Sequence, residues 1–164
     1  MIEDHRQLVR DALPEGFGVD IGCRKASCKI GTFGIDRYPG PGVDMICQGN
    51  DLPFPIDHFD YVSACHVLEH IPNPKLTLVE WARVLKPAGC LLIVVPNAEK
   101  SLRQGVSYWE HVSWFTPDIL KTLVQSWLGF QIYHFETRED LKDGPMIFCY
   151  SKKPTSFVTP RLPE

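Results

Sequence analysis

Cys90-Leu91-Leu92-Ile93-Val94-Val95 is the longest apolar run of the chain, and Pro96-Asn97 ends it. It falls far short of the ~18 residues that a membrane helix needs. It also lacks the polar alternation of a strand with one wet face. An apolar strand covered on both sides belongs in the middle of a parallel sheet. The neighbouring segments agree. Residues 74–85 place Leu76, Val79, Ala82 and Leu85 on one helical face, with Pro74 in the first turn, and Lys86-Pro87-Ala88-Gly89 stops that helix. Phe59-Asp60-Tyr61-Val62-Ser63-Ala64-Cys65 reads as the strand before it. Upstream lie three short strands, over residues 17–22, 33–36 and 43–47, and a helix over 2–13 with Leu8, Val9, Ala12 and Leu13 on one side. Downstream, Thr116 caps a helix over 117–128, and residues 131–136 and 146–150 form two late strands. Strands alternating with helices specify an α/β fold: a mostly parallel sheet between helical layers.

The chain has 164 residues, 44% hydrophobic and 23% charged, with a formal net charge of −3. That is one ordinary globular domain, read here as residues 1–151, followed by a disordered tail from 152 that carries three prolines. Mixed charge of this size argues against an electrostatic grip on nucleic acid or on an anionic membrane. The charged start, Met1-Ile2-Glu3-Asp4-His5-Arg6, lacks the apolar stretch of a signal peptide, so a soluble cytoplasmic protein is expected. Of six cysteines, four sit in apolar strand-like runs and read as small buried hydrophobes. Cys23 and Cys28, five apart around a loop, are the exception.

Parallel sheets bind ligands at the carboxyl ends of their strands. Gly22 follows the first strand and lets a ligand approach the backbone closely. Asp36 ends the second, where a carboxylate can accept both hydroxyls of a ribose. Asp51-Leu52 follows the third, where an acid can take an exocyclic amine and a leucine can pack on a purine. A strand-end aspartate is commonly only a turn former. Three in succession make a nucleoside site the better reading.

Val19-Asp20-Ile21-Gly22-Cys23, Gly34-Ile35-Asp36, Asn50-Asp51-Leu52-Pro53-Phe54, Phe59-Asp60-Tyr61-Val62 and Val67-Leu68-Glu69-His70-Ile71 together resemble the type 11 branch of the class I methyltransferases. Leu85-Lys86-Pro87-Ala88-Gly89-Cys90-Leu91-Leu92-Ile93 and His111-Val112-Ser113-Trp114-Phe115-Thr116-Pro117 extend the likeness, which covers roughly residues 17–150. The resemblance implies a three-layer, Rossmann-like, seven-stranded sheet whose last strand is antiparallel. It also implies S-adenosylmethionine over the first three strand ends. Asp20, Gly22 and Cys23 would lie near the methionine part, Asp36 and Arg37 at the ribose, and Asp51 and Leu52 at the adenine. Cys65 and His66 would line the pocket floor. One departure is plain: the family's acid-x-Gly-x-Gly-x-Gly loop here reads Asp20-Ile21-Gly22-Cys23-Arg24-Lys25-Ala26. Arg24 either crowds the cofactor's carboxylate or pairs with it. The first crossover, from Gly22 to Phe33, is too short for a full helix.

The function expected is methyl transfer to a small-molecule or sugar acceptor, with His111 as catalytic base beside Tyr108, Trp109, Glu110 and Trp114. The alternative is an inactive protein of the same fold that binds a partner. A homodimer or a partner subunit would help to complete so small a pocket. His66-Val67-Leu68-Glu69-His70 also spells the H-x-x-E-H zinc-protease signature. That chemistry needs both histidines on one helical face, and Pro72 and Pro74 leave little helix, so no metal is expected. A nicotinamide enzyme would want the absent G-x-G-x-x-G turn.

Overall fold

In the computed structural model the described residues are 5–24, 31–103, 110–141 and 144–161. Seven strands form one sheet: β1 (Gly18–Ile21), β2 (Phe33–Asp36), β3 (Met45–Ile46), β4 (Phe59–Cys65), β5 (Leu85–Pro96), β6 (Gln131–Arg138) and β7 (Met146–Lys152). Their order is β3-β2-β1-β4-β5-β7-β6. The pairs among β1 to β5 are parallel, whereas β7 runs antiparallel to both β5 and β6. The sheet is the mostly parallel one expected, with the last strand, β7, as its antiparallel element, set between β5 and the edge strand β6. The apolar run at 90–95 lies between β4 and β7 and is buried throughout. That position explains why it carries no wet face.

Among the described residues, four α-helices accompany the sheet: α1 (His5–Ala12), α2 (Pro74–Val84), α3 (Ala98–Arg103) and α4 (Pro117–Lys121). α2 starts where Asn73 Oδ1 accepts the Leu76 N–H at 3.2 Å, with Pro74 at its first position. Leu78, Trp81, Ala82 and Val84 of α2 pack with Leu120, Leu123 and Val124 against one face of the sheet. The other face meets Val9 and Leu13 at the N-terminal helix, together with Tyr61, Cys65, Leu92 and Val94. α4 widens into a π-helical turn, Thr122–Trp127, so the expected helix over 117–128 is two segments. Gly129 closes it with φ of 77°, a conformation that costs glycine little.

Three features of the chain's course have physical causes, and the first and last of them differ from the sequence reading. The helix expected through residue 85 stops at Val84, because Leu85 turns to extended backbone and pairs with Phe59. Residues 37–44, around Pro39-Gly40-Pro41-Gly42, join the parallel strands β2 and β3 as a loop without the usual crossover helix. Asp44 substitutes for that helix by pinning the turn: its carboxylate accepts the Gly34 N–H at 2.7 Å, and its own N–H reaches the Gly34 carbonyl at 2.8 Å. Lastly, β7 runs on to Lys152, and the tail expected to be disordered turns back at Lys153. That residue is only 5% exposed. Its Nζ donates to Asp57 at 2.7 Å and to the Leu85 carbonyl at 2.6 Å, and Phe157 rests on Phe130. A lysine with a paired head and a buried stem anchors a segment whose prolines suggested freedom. In the short first crossover, residues 25–30 lie outside the described residues, and with them Cys28 and Ala26.

Candidate active site

A cleft of about 350 Å³ opens at the carboxyl ends of β1, β2 and β4. Gly22, Asp36, Arg37 and His66 of the expected residues line it, and Arg24, Tyr38, the loop 47–50 and His70 complete the wall. Gly22 has φ of 80°, and a Cβ there would meet Val67 Cγ2 at 2.2 Å. Glycine is required on both counts. Asp36 is fixed by its own loops: Oδ2 accepts the Arg24 N–H at 3.1 Å and Oδ1 the Tyr38 N–H at 2.9 Å. A carboxylate has about four acceptor positions. Two backbone bonds therefore orient it and leave capacity for a diol. The guanidinium groups of Arg24 and Arg37 lie 5.1 and 4.7 Å from the Tyr38 ring centre, a cation–aromatic cluster at the mouth of the cleft.

The altered glycine loop has a structural counterpart across the cleft entrance. Cys23 is fully buried, and its thiol donates to the Gly42 carbonyl at 2.9 Å. Burial, with Asp20 and Asp36 nearby, pushes that thiol up to about 12, so it stays protonated and unreactive at neutral pH. A Cβ on Gly34 would lie 1.9 Å from the Gly42 carbonyl oxygen and 2.7 Å from Cys23 Sγ; one on Gly40 would lie 2.0 Å from the Arg24 carbonyl oxygen. Close approach is thus achieved by glycines of β2 and its loop rather than by glycines of the first loop. Gly34→Ala is expected to cost about 1–3 kcal/mol, since an overpacked backbone contact must shift. Urea unfolding measures it; an unchanged midpoint would show that the 39–42 loop moves freely.

The remaining expected residues are elsewhere. Asp20, 1% exposed, accepts the Ser63 hydroxyl at 2.9 Å beneath the cleft and ties β1 to β4. Leu52 is part of the core under α2; Glu80 accepts its N–H at 2.8 Å and Arg83 donates to its carbonyl at 2.9 Å. Asp51 is exposed and is not among the residues that line the cleft. Cys65 packs on the opposite face of the sheet, among the residues around Val9. The chain then turns at His66, whose φ is 58°. What the strand-end reading missed is the run Cys47-Gln48-Gly49-Asn50 as cleft wall, held by Trp81 Nε1 donating to the Gly49 carbonyl at 2.7 Å. It lies directly before the Asp51 that drew attention.

His111 is half-buried, with its ring edge-on to His70 at 4.9 Å and near Trp114 at 5.8 Å. Burial, then the neighbouring His70 and His66, hold its pKa below the ordinary histidine value despite Glu69. Its neutral form is therefore favoured. Glu69 and His70 belong to a short 3-10 turn, Leu68–His70, not to a continuous helix. Tyr108 and Trp109 lie outside the described residues.

Residues 19–93 match the type 11 methyltransferase domain. The match takes in β1 to β5 and the strand ends that form the cleft. Over this stretch the chain is similar to the type 11 branch of the class I methyltransferases. A ubiquinone/menaquinone biosynthesis C-methyltransferase from Paraburkholderia xenovorans is 38% identical over 64 residues, which are 37% of this chain and 26% of that protein. The match thus spans only about a quarter of the length of such curated relatives. A SAM-dependent methyltransferase from Methanosarcina mazei has the same fold, with a TM-score of 0.70 at 17% identity, covering 94% of this chain and all of that one. The 1,6-didemethyltoxoflavin-N1-methyltransferase of Burkholderia thailandensis, solved with bound 1,6-didemethyltoxoflavin and S-adenosylhomocysteine, also scores 0.70, at 15% identity over 92% of this chain and 77% of that one. Among the described residues, no helix is long and apolar enough to cross a membrane.

Proposed function

We propose that the chain transfers the methyl group of S-adenosylmethionine to a small-molecule or sugar acceptor. The observation that carries this reading is Asp36: a carboxylate at the end of β2, aimed by two backbone N–H groups, on the wall of a cleft of about 350 Å³. In this reading Asp36 accepts the ribose hydroxyls, Gly22 admits the methionine part, and residues 47–50 flank the adenine. Arg24, standing where the family has its second glycine, pairs with the methionine carboxylate. Arg37 lies on the ribose side. The sulfonium carbon is already electrophilic, so the protein's task is to align the acceptor and to keep water out. His66, His70 and His111 form the acceptor end, with His111 as the group that acts on the acceptor.

The inactive alternative is less well supported, because the features that a nucleoside needs persist although the glycines do not. Incubation with S-adenosylmethionine and fractionated small metabolites, read as S-adenosylhomocysteine formed by mass spectrometry, tests the assignment. Product formed by the wild type and lost in Asp36→Ala supports it. Cofactor binding without turnover on any fraction favours the partner-binding reading.

A further inference from the structure

The acceptor end holds a set of side chains that methyl transfer alone does not require. The carbonyl of Glu69 accepts the N–H groups of Val112 and Ser113 at 2.9 and 3.0 Å, and the Ser113 hydroxyl donates to the Ile71 carbonyl at 2.9 Å. These bonds fix residues 111–113 against the 3-10 turn. One ligating atom from each of Glu69, His70 and His111 consequently lies within 4.8 Å of the other two. Glu69 is 1% exposed, and among the described residues neither of its carboxylate oxygens has a hydrogen-bond partner. Its Oε1 faces His66 Nδ1 at 3.3 Å. A buried carboxylate without hydrogen bonds is costly unless a cation compensates it. His70 Nδ1 is 3.2 Å from the Glu110 carbonyl oxygen. A ring N–H donated there leaves the other ring nitrogen with its lone pair, the arrangement that orients a ligating histidine.

We infer that Glu69, His70 and His111 form a divalent-metal site on the acceptor rim of the cleft. Two imidazoles and one carboxylate suit zinc or another first-row ion that favours imidazole, with one coordination position open. Donors at ~2.0–2.2 Å around a tetrahedral ion lie roughly 3.4 Å apart. Shifts of about 1 Å in half-buried side chains close the observed set to that geometry. The sequence reading expected no metal because H-x-x-E-H needs a helix. The chain meets that objection differently: His66 stays beside Glu69 without joining the set, and His111, from a distant loop, completes it. Only Glu69 and His70 of the motif serve.

The role of the ion rests on the methyl-transfer reading. At the open position it takes a hydroxyl oxygen of the acceptor and lowers that hydroxyl's pKa. The hydroxyl proton leaves to solvent; the oxygen lone pair then forms the O–CH3 bond as the S–CH3 bond breaks, which leaves the neutral thioether. The acceptor class is therefore an alcohol or phenol, and His111 acts as a ligand rather than as a lone base.

Chelator-treated, dialysed protein is titrated with zinc by calorimetry and with cobalt by visible absorption, in the absence of cofactor. One ion per chain is expected, with affinity falling at least about tenfold (roughly 1.4 kcal/mol) in Glu69→Gln and in His111→Ala. His111→Ala, at a half-buried loop position, guards against misfolding of the buried-site variant, and its circular dichroism and melting are recorded alongside. Wild-type protein that takes up no stoichiometric ion, or His111→Ala with unchanged affinity, overturns the site. Separate titrations with S-adenosylhomocysteine keep the two readings apart. Metal uptake without cofactor binding retains the site and removes its role in methyl transfer. Cofactor binding without metal uptake does the reverse.

Discussion

Trp81→Ala is expected to lower stability by about 3–5 kcal/mol, the range for emptying a buried aromatic position. Trp81 is fully buried in the core beneath β4 and β5, and its indole N–H donates to the Gly49 carbonyl at 2.7 Å. Truncation opens a cavity under α2 and leaves that carbonyl without its donor. For a chain of this length the melting midpoint should fall by roughly 8–16 °C. Trp81→Phe separates the two effects: it keeps most of the ring but loses the N–H, for about 1–2 kcal/mol. Because Gly49 lies in the cleft wall, Trp81→Phe should also weaken cofactor binding more than its stability loss implies. Thermal melts with and without S-adenosylhomocysteine give both quantities. A Trp81→Ala midpoint within 3 °C of wild type, well below the range derived from packing, would show that the core repacks around the hole.

Asp36→Ala is expected to reduce cofactor affinity by roughly 100-fold or more. Hydrogen bonds to a charged group are worth about 1.5–3 kcal/mol each, and a ribose diol offers two of them. The substitution also removes the acceptors of the Arg24 and Tyr38 N–H groups, which loosens both loops at the cleft mouth. Asp36→Asn keeps one carbonyl oxygen and the side-chain shape, so an intermediate loss of about tenfold is anticipated. Asp36 is only half-buried and bonds to loop backbone, so the fold should persist in both variants. Equal affinity in all three proteins, measured by titration, would place the ribose elsewhere.

The central strand run 90–95, the start of α2 and the strand ends at Gly22 and Asp36 were legible because each is local: period, capping and turn chemistry mark them without reference to distant residues. The buried face of α2 was not: Leu76, expected on it, is exposed, and Leu78, Trp81 and Val84 are buried beside Ala82. The misplacements are of another kind. Cys65 and His66 are adjacent, yet Cys65 packs behind the sheet while His66 lines the cleft, because the backbone turns to φ of 58° between strand and loop. Nothing in residue type reveals that turn. Leu52 looked like a ligand contact because it follows a strand. It is core because Glu80 and Arg83, some thirty residues away, hold its backbone. The glycine loop could not be judged from its own residues either. The substitutions at Cys23 and Arg24 are accommodated by Gly34, Gly40 and Gly42, and only folding brings these together. Lys153 likewise read as part of a free tail until Asp57 and the Leu85 carbonyl supplied its partners. His111 meets Glu69 and His70 across forty residues of chain, through backbone bonds that no spacing rule encodes.

The most direct test is calorimetric titration of the purified wild-type chain with S-adenosylmethionine and with S-adenosylhomocysteine. Saturable binding of both at one site, with affinity on the order of 1–100 μM (about −8 to −5.5 kcal/mol), is the predicted result. Absence of heat and of any thermal shift with either ligand, from protein whose circular dichroism shows the α/β fold, would contradict the cofactor site and the methyl-transfer reading built on it.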